Sequence, residues 1–181
     1  MPRGTTSNGI DTAIQTEKGE TAELKKELEE VKIIADSAIQ AVCPTRDPRF
    51  RLLNGKCLLF VNETRNQNEA KQDCEKQFAE NTNGRLFEPR DADMNRLVYE
   101  EAKIVFGSDE YVWLGIDDIN SENQWTYSSS GQNVSNTFWR TGQPDGSASS
   151  DQDCVRFNQV SEGLWHDITC FGNHRYICEF K

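Results

Sequence analysis

The six cysteines of the chain are its strongest constraint on fold, and all of them lie from residue 43 onward. No two have the Cys-x-x-Cys spacing of a zinc site, and an even, widely spread set is unusual in a cytosolic enzyme. The set therefore indicates a disulfide framework formed in an oxidising compartment. From the residues alone, six cysteines leave fifteen possible pairings open. They are Cys43, Cys57, Cys74, Cys154, Cys170 and Cys178.

The segment before Cys43 is of a different kind. Residues 1–9 are small and polar, which predicts a disordered linker. Residues 10–42 carry apolar residues at two positions of a seven-residue repeat, interrupted at Glu17 and Thr21, and this predicts a coiled-coil neck, with a trimer favoured. The alternative is one amphipathic helix folded against its own domain. This apolar stripe consists of Ile10, Leu24, Val31 and Ala38, together with Ile14, Leu28, Ala35 and Val42.

Residues 43–181 predict one α+β domain. The helices expected there span 66–80 and 91–106, the second with Asp91 as its N-cap. The strands expected there span 57–63, 111–117, 154–160 and 174–180. A long loop rich in Ser, Asn and Gly covers 121–153, and a loop of this length in a compact domain is usually functional or disordered.

Charge and hydropathy limit the partners of the chain. The formal net charge of −10 makes nucleic acid an unsuitable partner, and a cation is a more natural ligand. No apolar run has the length of a membrane span, and the first residues lack the apolar core of a signal peptide. Because the disulfide framework implies an oxidising compartment, we expect a mature chain or a cut fragment of an extracellular protein. Sequons at Asn62 and Asn133 indicate a glycoprotein.

The stretch QPDGSASSDQDC, residues 143–154, suggests a metal site. It holds three acids, Asp145, Asp151 and Asp153, without a Lys or Arg among them. Like charges this close repel one another, and a bound calcium ion would remove the repulsion. The alternative is a solvated acidic turn that holds no ion.

Several separate motifs resemble the C-type lectin family. They are EAKQDC at 69–74, WLGI at 113–116, GLWHDITC at 163–170 and YICEF at 176–180. The resemblance covers residues 43–181 and implies a long-form C-type lectin-like fold, with two helices, small antiparallel sheets and a long calcium-binding loop region. It also implies three disulfides, Cys43–Cys57, Cys74–Cys178 and Cys154–Cys170. A coiled-coil neck before this domain is common in the family, both in secreted lectins and in type II membrane receptors. The resemblance therefore implies a secreted protein, or the ectodomain of a type II membrane protein whose anchor is absent from this chain.

The resemblance implies a principal calcium site. Family members use an x-Pro-x triplet with a cis bond before its proline, an acid in the following loop, and an Asn-Asp pair after a tryptophan. The matching residues here are Gln143 and Asp145, then Asp151 or Gln152, and Asp167. Counting back from Cys154 places the loop ligand at Gln152. A one-residue insertion would shift it to Asp151, which we favour because calcium prefers a charged ligand.

The resemblance also implies a sugar. The order Gln-Pro-Asp resembles the galactose and GalNAc type, in which Gln143 donates to a hydroxyl and Asp145 accepts from one. His166 replaces the family's Asn, and imidazole suits zinc or copper better than calcium, although it can still donate a hydrogen bond to the sugar. An aromatic ring that would stack on galactose is absent from GSASS. An auxiliary calcium site is suggested at Asp118, Glu122 and Asp153, with a solvated acidic turn as the alternative.

Two further expectations concern single residue types. A histidine beside calcium titrates near neutrality, so protonation of His166 would release the ion at acidic pH.

Trp113, Trp125 and Trp139 are expected to fill the core beneath the loops, and Trp165 to pack beside the site and orient Asp167.

The function predicted is a calcium-dependent lectin that binds cell-surface or microbial glycans, multivalent through its neck, as in innate immunity. The alternative is a C-type lectin-like domain that binds a protein partner without calcium or sugar. An enzyme is not expected: no motif pairs His174 with a nucleophile. The acids Asp145 and Asp167 could be imagined as a glycoside-hydrolysing pair, but neither has the apolar setting that would raise its pKa.

Overall fold

A computed structural model describes residues 7–77, 84–107, 110–146, 150–157 and 162–180. The chain divides into two compact units, the first ending at Pro44 and the second beginning at Thr45. Within the described residues, no helix combines the length and the apolar character needed to cross a membrane.

The first unit contains one helix, α1, from Ser7 to Val42. It begins earlier than the neck predicted from residue 10, so residues 7–9 of the predicted linker are helical, and residues 1–6 lie outside the described part. The stripe residues Leu24, Leu28 and Val31 are 63%, 55% and 61% exposed. Exposed apolar side chains in this repeat are those that a second helix covers in a coiled coil. Self-association remains a prediction.

The second unit contains two helices and eight strands. The helices are α2, Gln67–Lys76, and α3, Ala92–Phe106. The strands are β1, Phe50–Leu53; β2, Lys56–Arg65; β3, Arg85–Leu86; β4, Val112–Asp117; β5, Thr126–Tyr127; β6, Cys154–Phe157; β7, Trp165–Ile168; and β8, His174–Glu179. The predicted α+β class is confirmed. The ends of two predicted elements, 78–80 and 158–160, lie outside the described residues.

The strands form one mixed sheet in the order β1-β2-β8-β4-β6-β7, with β3 paired to β8 and β5 paired to β4. All neighbours are antiparallel except β4 and β8, which are parallel. The sequence predicted small antiparallel sheets instead. The parallel pair is possible because the chain between β4 and β8 is far longer than the dozen or so residues that a crossover requires.

The helices begin where side-chain caps predict them to begin. The Asp91 carboxylate accepts the Met94 amide at 2.8 Å, so Asp91 is the N-cap of α3, as predicted. Asn66 caps α2 and forms a reciprocal capping box with Glu69. Helix α3 ends at Gly107, whose φ of 96° is easily reached only by glycine.

The helices cover opposite faces of the sheet. Alternate residues of each strand point to opposite faces, so neighbouring residues enter different apolar clusters. Leu58 and Phe60 of β2 lie in the cluster that includes α3, whereas Leu59 and Val61 lie in the cluster that includes α2. Of the tryptophans predicted in the core, Trp113 is fully buried, while Trp125 and Trp139 are partly buried against the α3 cluster.

Disulfides connect elements that are distant in sequence. Cys74–Cys178 joins α2 to β8, and Cys154–Cys170 joins the start of β6 to the loop before β8. Cys43 and Cys57 are also disulfide-bonded, and no cysteine is free. The disulfide framework predicted from the cysteine pattern is confirmed.

Candidate metal centre

The loop that carries Asp145 runs along the outer edge of β7, the last strand of the sheet. The Trp165 amide donates to the Phe138 carbonyl at 2.7 Å, and the Arg140 amide donates to the Trp165 carbonyl at 3.0 Å. Farther along, the Asp145 amide donates to Asp167 Oδ1 at 3.2 Å. These backbone contacts align residues 138–146 with β7 and bring Asp145 beside Asp167.

Trp165 anchors this edge in the core. Its side chain is fully buried, and its Nε1 donates to Asn95 Oδ1 of α3 at 2.8 Å. Its ring meets those of Phe138 and Trp139 edge-on, with centroids 5.1 Å and 5.5 Å away. These three contacts fix the position of Trp165 and therefore of the strand that carries Asp167. Trp165 thus packs beside the site, as expected.

The Asp167 carboxylate is held by the backbone of the loop. The side chain is fully buried, Oδ1 accepts from the Asp145 amide, and Oδ2 accepts from the Gly146 amide at 2.7 Å. A Cβ added at Gly146 would lie 2.9 Å from Asp167 Oδ2 and 3.2 Å from Gln152 Cβ. Only glycine therefore allows the loop to approach Asp167 this closely.

One group of metal-ligating side chains assembles at this edge. The ligand atoms of Asp145, His166 and Asp167 all lie within 4.8 Å of one another. Across the described ranges, no other trio of His, Cys, Asp or Glu comes as close. The Gln143–Pro144 bond is cis, as the resemblance implied. Gln143 Oε1 is buried and has no hydrogen-bond partner among the described residues, so it is an oxygen donor available to a cation.

The charge state of His166 differs from the expectation made from the sequence. Burial lowers the pKa of His166, and the charge of Arg156 lowers it further, against the opposing effect of Asp167. Arg156 lies opposite His166 in the register of β6 and β7, and its guanidinium stacks on the Tyr111 ring at 3.5 Å. The neutral imidazole is therefore favoured at neutral pH, and protonation of His166 moves to more acidic conditions than an unperturbed histidine would need.

The two candidates for the loop ligand lie in different settings. Asp151 is exposed, and it is not part of the trio, whereas Gln152 lies beside Gly146 and thus close to Asp167. Residues 147–149, which would contain an insertion, lie outside the described residues. The choice between Asp151 and Gln152 as the loop ligand stays a prediction.

The predicted auxiliary residues lie around one buried carboxylate. Asp118 is only 3% exposed, its Oδ2 accepts the Asn123 amide at 2.7 Å, and its Oδ1 has no partner among the described residues. Burial raises the pKa of Asp118 to about 6, and the charges of Glu122 and Asp153 add to the rise. Burial likewise raises the pKa of Asp153, whose carbonyl accepts the Asp118 amide at 3.1 Å.

These observations test the fit of calcium, the ion implied by the resemblance. Calcium takes about six to eight oxygen ligands. Gln143 Oε1 and the carboxylates of Asp145 and Asp167 are ligands of this type at the edge of β7, and the unpartnered oxygen of Asp118 is one at the separate auxiliary position. The imidazole of His166 does not fit a hard cation, so calcium at the main site would use oxygens and leave the His166 nitrogen unused.

Reasoning from the sequence missed three residues that shape the centre: Asn95, Gly146 and Arg156. Gly146 directly follows the Gln-Pro-Asp triplet, and a glycine there can indicate that the backbone lies close to another group, here Asp167. Asn95 and Arg156 carried no such sign, since their roles depend on partners far away in sequence.

Comparison with known proteins identifies related chains. The family model of the Lectin C-type domain matches residues 63–180. Tetranectin from Mus musculus is 30% identical over 156 residues, which cover 84% of this chain and 71% of that protein. C-type lectin domain family 3 member A from Bos taurus is 32% identical over 143 residues, or 79% of this chain and 66% of that protein.

Solved structures share the fold. The C-type lectin CEL-I from Cucumaria echinata matches with a TM-score of 0.67 at 21% identity, over 74% of this chain and 95% of that one. A Ca²⁺-dependent type II antifreeze protein in its Ca²⁺-free form matches with a TM-score of 0.61 at 23% identity, over 72% and 96%. At these identities the similarity concerns the fold alone.

Proposed function

This chain belongs to the C-type lectin family, whose members are binding domains and not enzymes, and on that premise we propose that it is a calcium-dependent lectin of the galactose and GalNAc type. The observation that carries the proposal is the meeting of Asp145 with Asp167 at the edge of β7, two residues after Gln143, whose buried oxygen has no partner among the described residues.

Calcium at this centre would be held by the oxygens of Gln143, Asp145 and Asp167. The loop position, Gln152 or Asp151, water and sugar hydroxyls would complete the six to eight ligands that calcium takes. Asp167 is the best-positioned ligand because two backbone amides already fix its carboxylate. The pair Asp118 and Asp153, with Glu122, supports an auxiliary calcium ion, since a cation would stabilise carboxylates whose ionisation burial disfavours.

The sugar would bind through the same ligands. Two neighbouring hydroxyls would coordinate the ion, the Gln143 amide would donate to one, and the Asp145 carboxylate would accept from the other. His166 can donate a further hydrogen bond from the rim of the site. The order of amide before carboxylate along the chain supports a galactose-type pair of hydroxyls over a mannose-type pair.

Multivalency would come from the neck. A single sugar site of this type is weak, and linking sites raises avidity by roughly 10²–10⁴. Helix α1 offers the exposed stripe of Leu24, Leu28 and Val31 for assembly, with a trimer favoured. Leu28→Glu should lower the mass measured by sedimentation, whereas Ile33→Glu, on an equally exposed residue outside the stripe, should not. An unchanged mass in both variants would contradict assembly through this stripe.

The setting we propose is extracellular, on the basis of the disulfides. Both sequon asparagines, Asn62 and Asn133, are exposed, which supports glycosylation there. In that setting, the partners would be glycans on cells or microbes, and the role one of innate recognition.

The test is calorimetry on the metal-free chain. Calcium should bind first, and galactose or GalNAc should then bind more tightly than mannose and only in the presence of calcium. The matched control is the double variant Gln143→Glu with Asp145→Asn, which exchanges amide and carboxylate without changing net charge. It should keep calcium affinity and reverse the sugar preference. A wild-type chain that binds no calcium at millimolar concentration would refute the proposal.

A second candidate is a domain that binds a protein partner without calcium or sugar. The observation that favours it is His166 within the trio, together with a neutral Gln152 beside Asp167 where an acid would strengthen calcium binding. Absence of calcium binding in the same calorimetry would favour this candidate.

A further inference from the structure

The trio at the edge of β7 combines two types of ligand. Asp145 and Asp167 offer carboxylate oxygens, and His166 offers an imidazole nitrogen within 4.8 Å of both. Calcium selects oxygen, whereas zinc and neighbouring first-row metals take imidazole and carboxylate together, commonly with about four ligands in all. One imidazole and two carboxylates supply three of these four, and water supplies the fourth in an open site.

The backbone explains how two adjacent residues of one strand can share an ion. Side chains of neighbouring residues in a strand leave on opposite faces, so His166 and Asp167 would normally diverge. Strand β7 is the last in the sheet order, and the loop holding Asp145 runs along its outer edge. At such an edge, side chains from both faces of the strand can reach the same cation. Asp145, on the adjoining loop, can supply the third ligand.

Two of the three ligands are held in place by the fold, whereas the Asp145 side chain is exposed. Asp167 is fully buried and fixed by the amides of Asp145 and Gly146, and His166 is half-buried against the register partner Arg156. Ligands that are held in place lose little conformational entropy on binding a metal. Gln143 Oε1, buried and without a partner among the described residues, is a further donor two residues from Asp145.

We propose that Asp145, His166 and Asp167 form a binding site for a zinc-class divalent cation, with His166 as the ligand that selects it over calcium. The zinc site stands on this geometry alone. Its consequence rests on the proposed function: zinc and calcium would compete for the same two carboxylates, and zinc would displace the ion that holds the sugar. Zinc would then act as an inhibitor of sugar binding.

The test uses the tag-free full chain after removal of metals with EDTA, titrated with zinc chloride and separately with calcium chloride in a calorimeter. His166→Asn should weaken zinc binding at least tenfold while leaving calcium affinity unchanged or raised. The chain has only two histidines, so His174→Asn is the matched control and should keep wild-type zinc affinity. Near-UV circular dichroism checks that both variants retain the fold. Saturating calcium should raise the apparent zinc dissociation constant of the wild type in proportion to calcium concentration.

The outcomes separate the two proposals. Equal zinc affinity in wild type and His166→Asn, or a loss in His174→Asn instead, overturns the zinc site. Calcium binding without zinc binding overturns the zinc site alone. Zinc binding lost with His166, in a chain that binds no calcium, supports the zinc site and refutes the calcium-dependent lectin.

Discussion

Asp118 is a candidate ligand whose buried carboxylate is costly to ionise. Its carboxylate is 3% exposed, one oxygen has no partner among the described residues, and its pKa rises from 3.8 to about 6. A proton is thus bound more tightly in the folded chain than in the unfolded chain. The penalty is absent below the unfolded pKa near 4 and complete above the folded pKa near 6, so this group makes stability fall as pH rises between them.

The magnitude follows from the shift. A rise of about two pKa units corresponds to roughly 3 kcal/mol at neutral pH, and relaxation of the loop around a charged Asp118 makes about 2–3 kcal/mol the expected range. Asp118→Asn removes the charge and keeps an oxygen that can accept the Asn123 amide, which donates at 2.7 Å in the wild type. The asparagine variant should therefore equal the wild type near pH 4 and exceed it in stability at pH 7.

Urea unfolding in EDTA, with disulfides intact, measures the difference at pH 4, 5, 6 and 7. Carboxylates common to both proteins cancel in the comparison, so the difference isolates Asp118 and its coupling to Glu122 and Asp153. A difference that is constant with pH, or an asparagine variant less stable at pH 7, would refute the reasoning. Repeating the pH 7 experiment in calcium tests the auxiliary site separately: calcium should stabilise the wild type more than Asp118→Asn.

Three further predictions concern other parts of the second unit. Gly146→Ala places a Cβ 2.9 Å from Asp167 Oδ2, so calcium affinity measured by calorimetry should fall about tenfold or more while the urea midpoint changes little. Arg85→Met removes the 2.6 Å partner of the fully buried Glu179 but leaves Lys56 paired with it at 3.0 Å, so it should lower the free energy of unfolding by about 2 kcal/mol in urea. Burial lowers the pKa of His174 to about 4, so stability is lost as pH falls from 6.5 toward 4; His174→Phe should reduce that loss in acid unfolding curves.

Elements with local signals were predictable from the sequence. Helix α3 has a capping aspartate at its start and Gly107 at its end, and both act within one turn of the helix. The β1–β2 hairpin carried an equally local signal that was overlooked. Asn54 and Gly55 both have positive φ and form the two-residue turn that Asn-Gly favours.

The candidate metal centre was only partly predictable, because its contacts are long-range. The resemblance implied that Asp145 lies with His166 and Asp167, some twenty residues away in sequence, but the residues alone do not show that they meet. That meeting depends on backbone bonds between residues 138–146 and β7, a strand of four residues too short to show a period. The choice between Asp151 and Gln152 likewise depends on the path of the loop past Gly146.

The acids at the edge of β7 and the acids around Asp118 differ in how their negative charge is stabilised. This difference determines the effect that a bound cation would have at each position. At the edge of β7, backbone amides already satisfy both oxygens of Asp167, so an incoming ion must share that carboxylate with the amides. At Asp118, one buried oxygen is left without a partner among the described residues, and the raised pKa is the measure of that cost. A cation at Asp118 therefore relieves an existing penalty and should stabilise the fold, whereas a cation at Asp167 exchanges one set of contacts for another. Measurements of folding stability would then detect a cation at Asp118, and measurements of ligand affinity would detect a cation at the edge of β7.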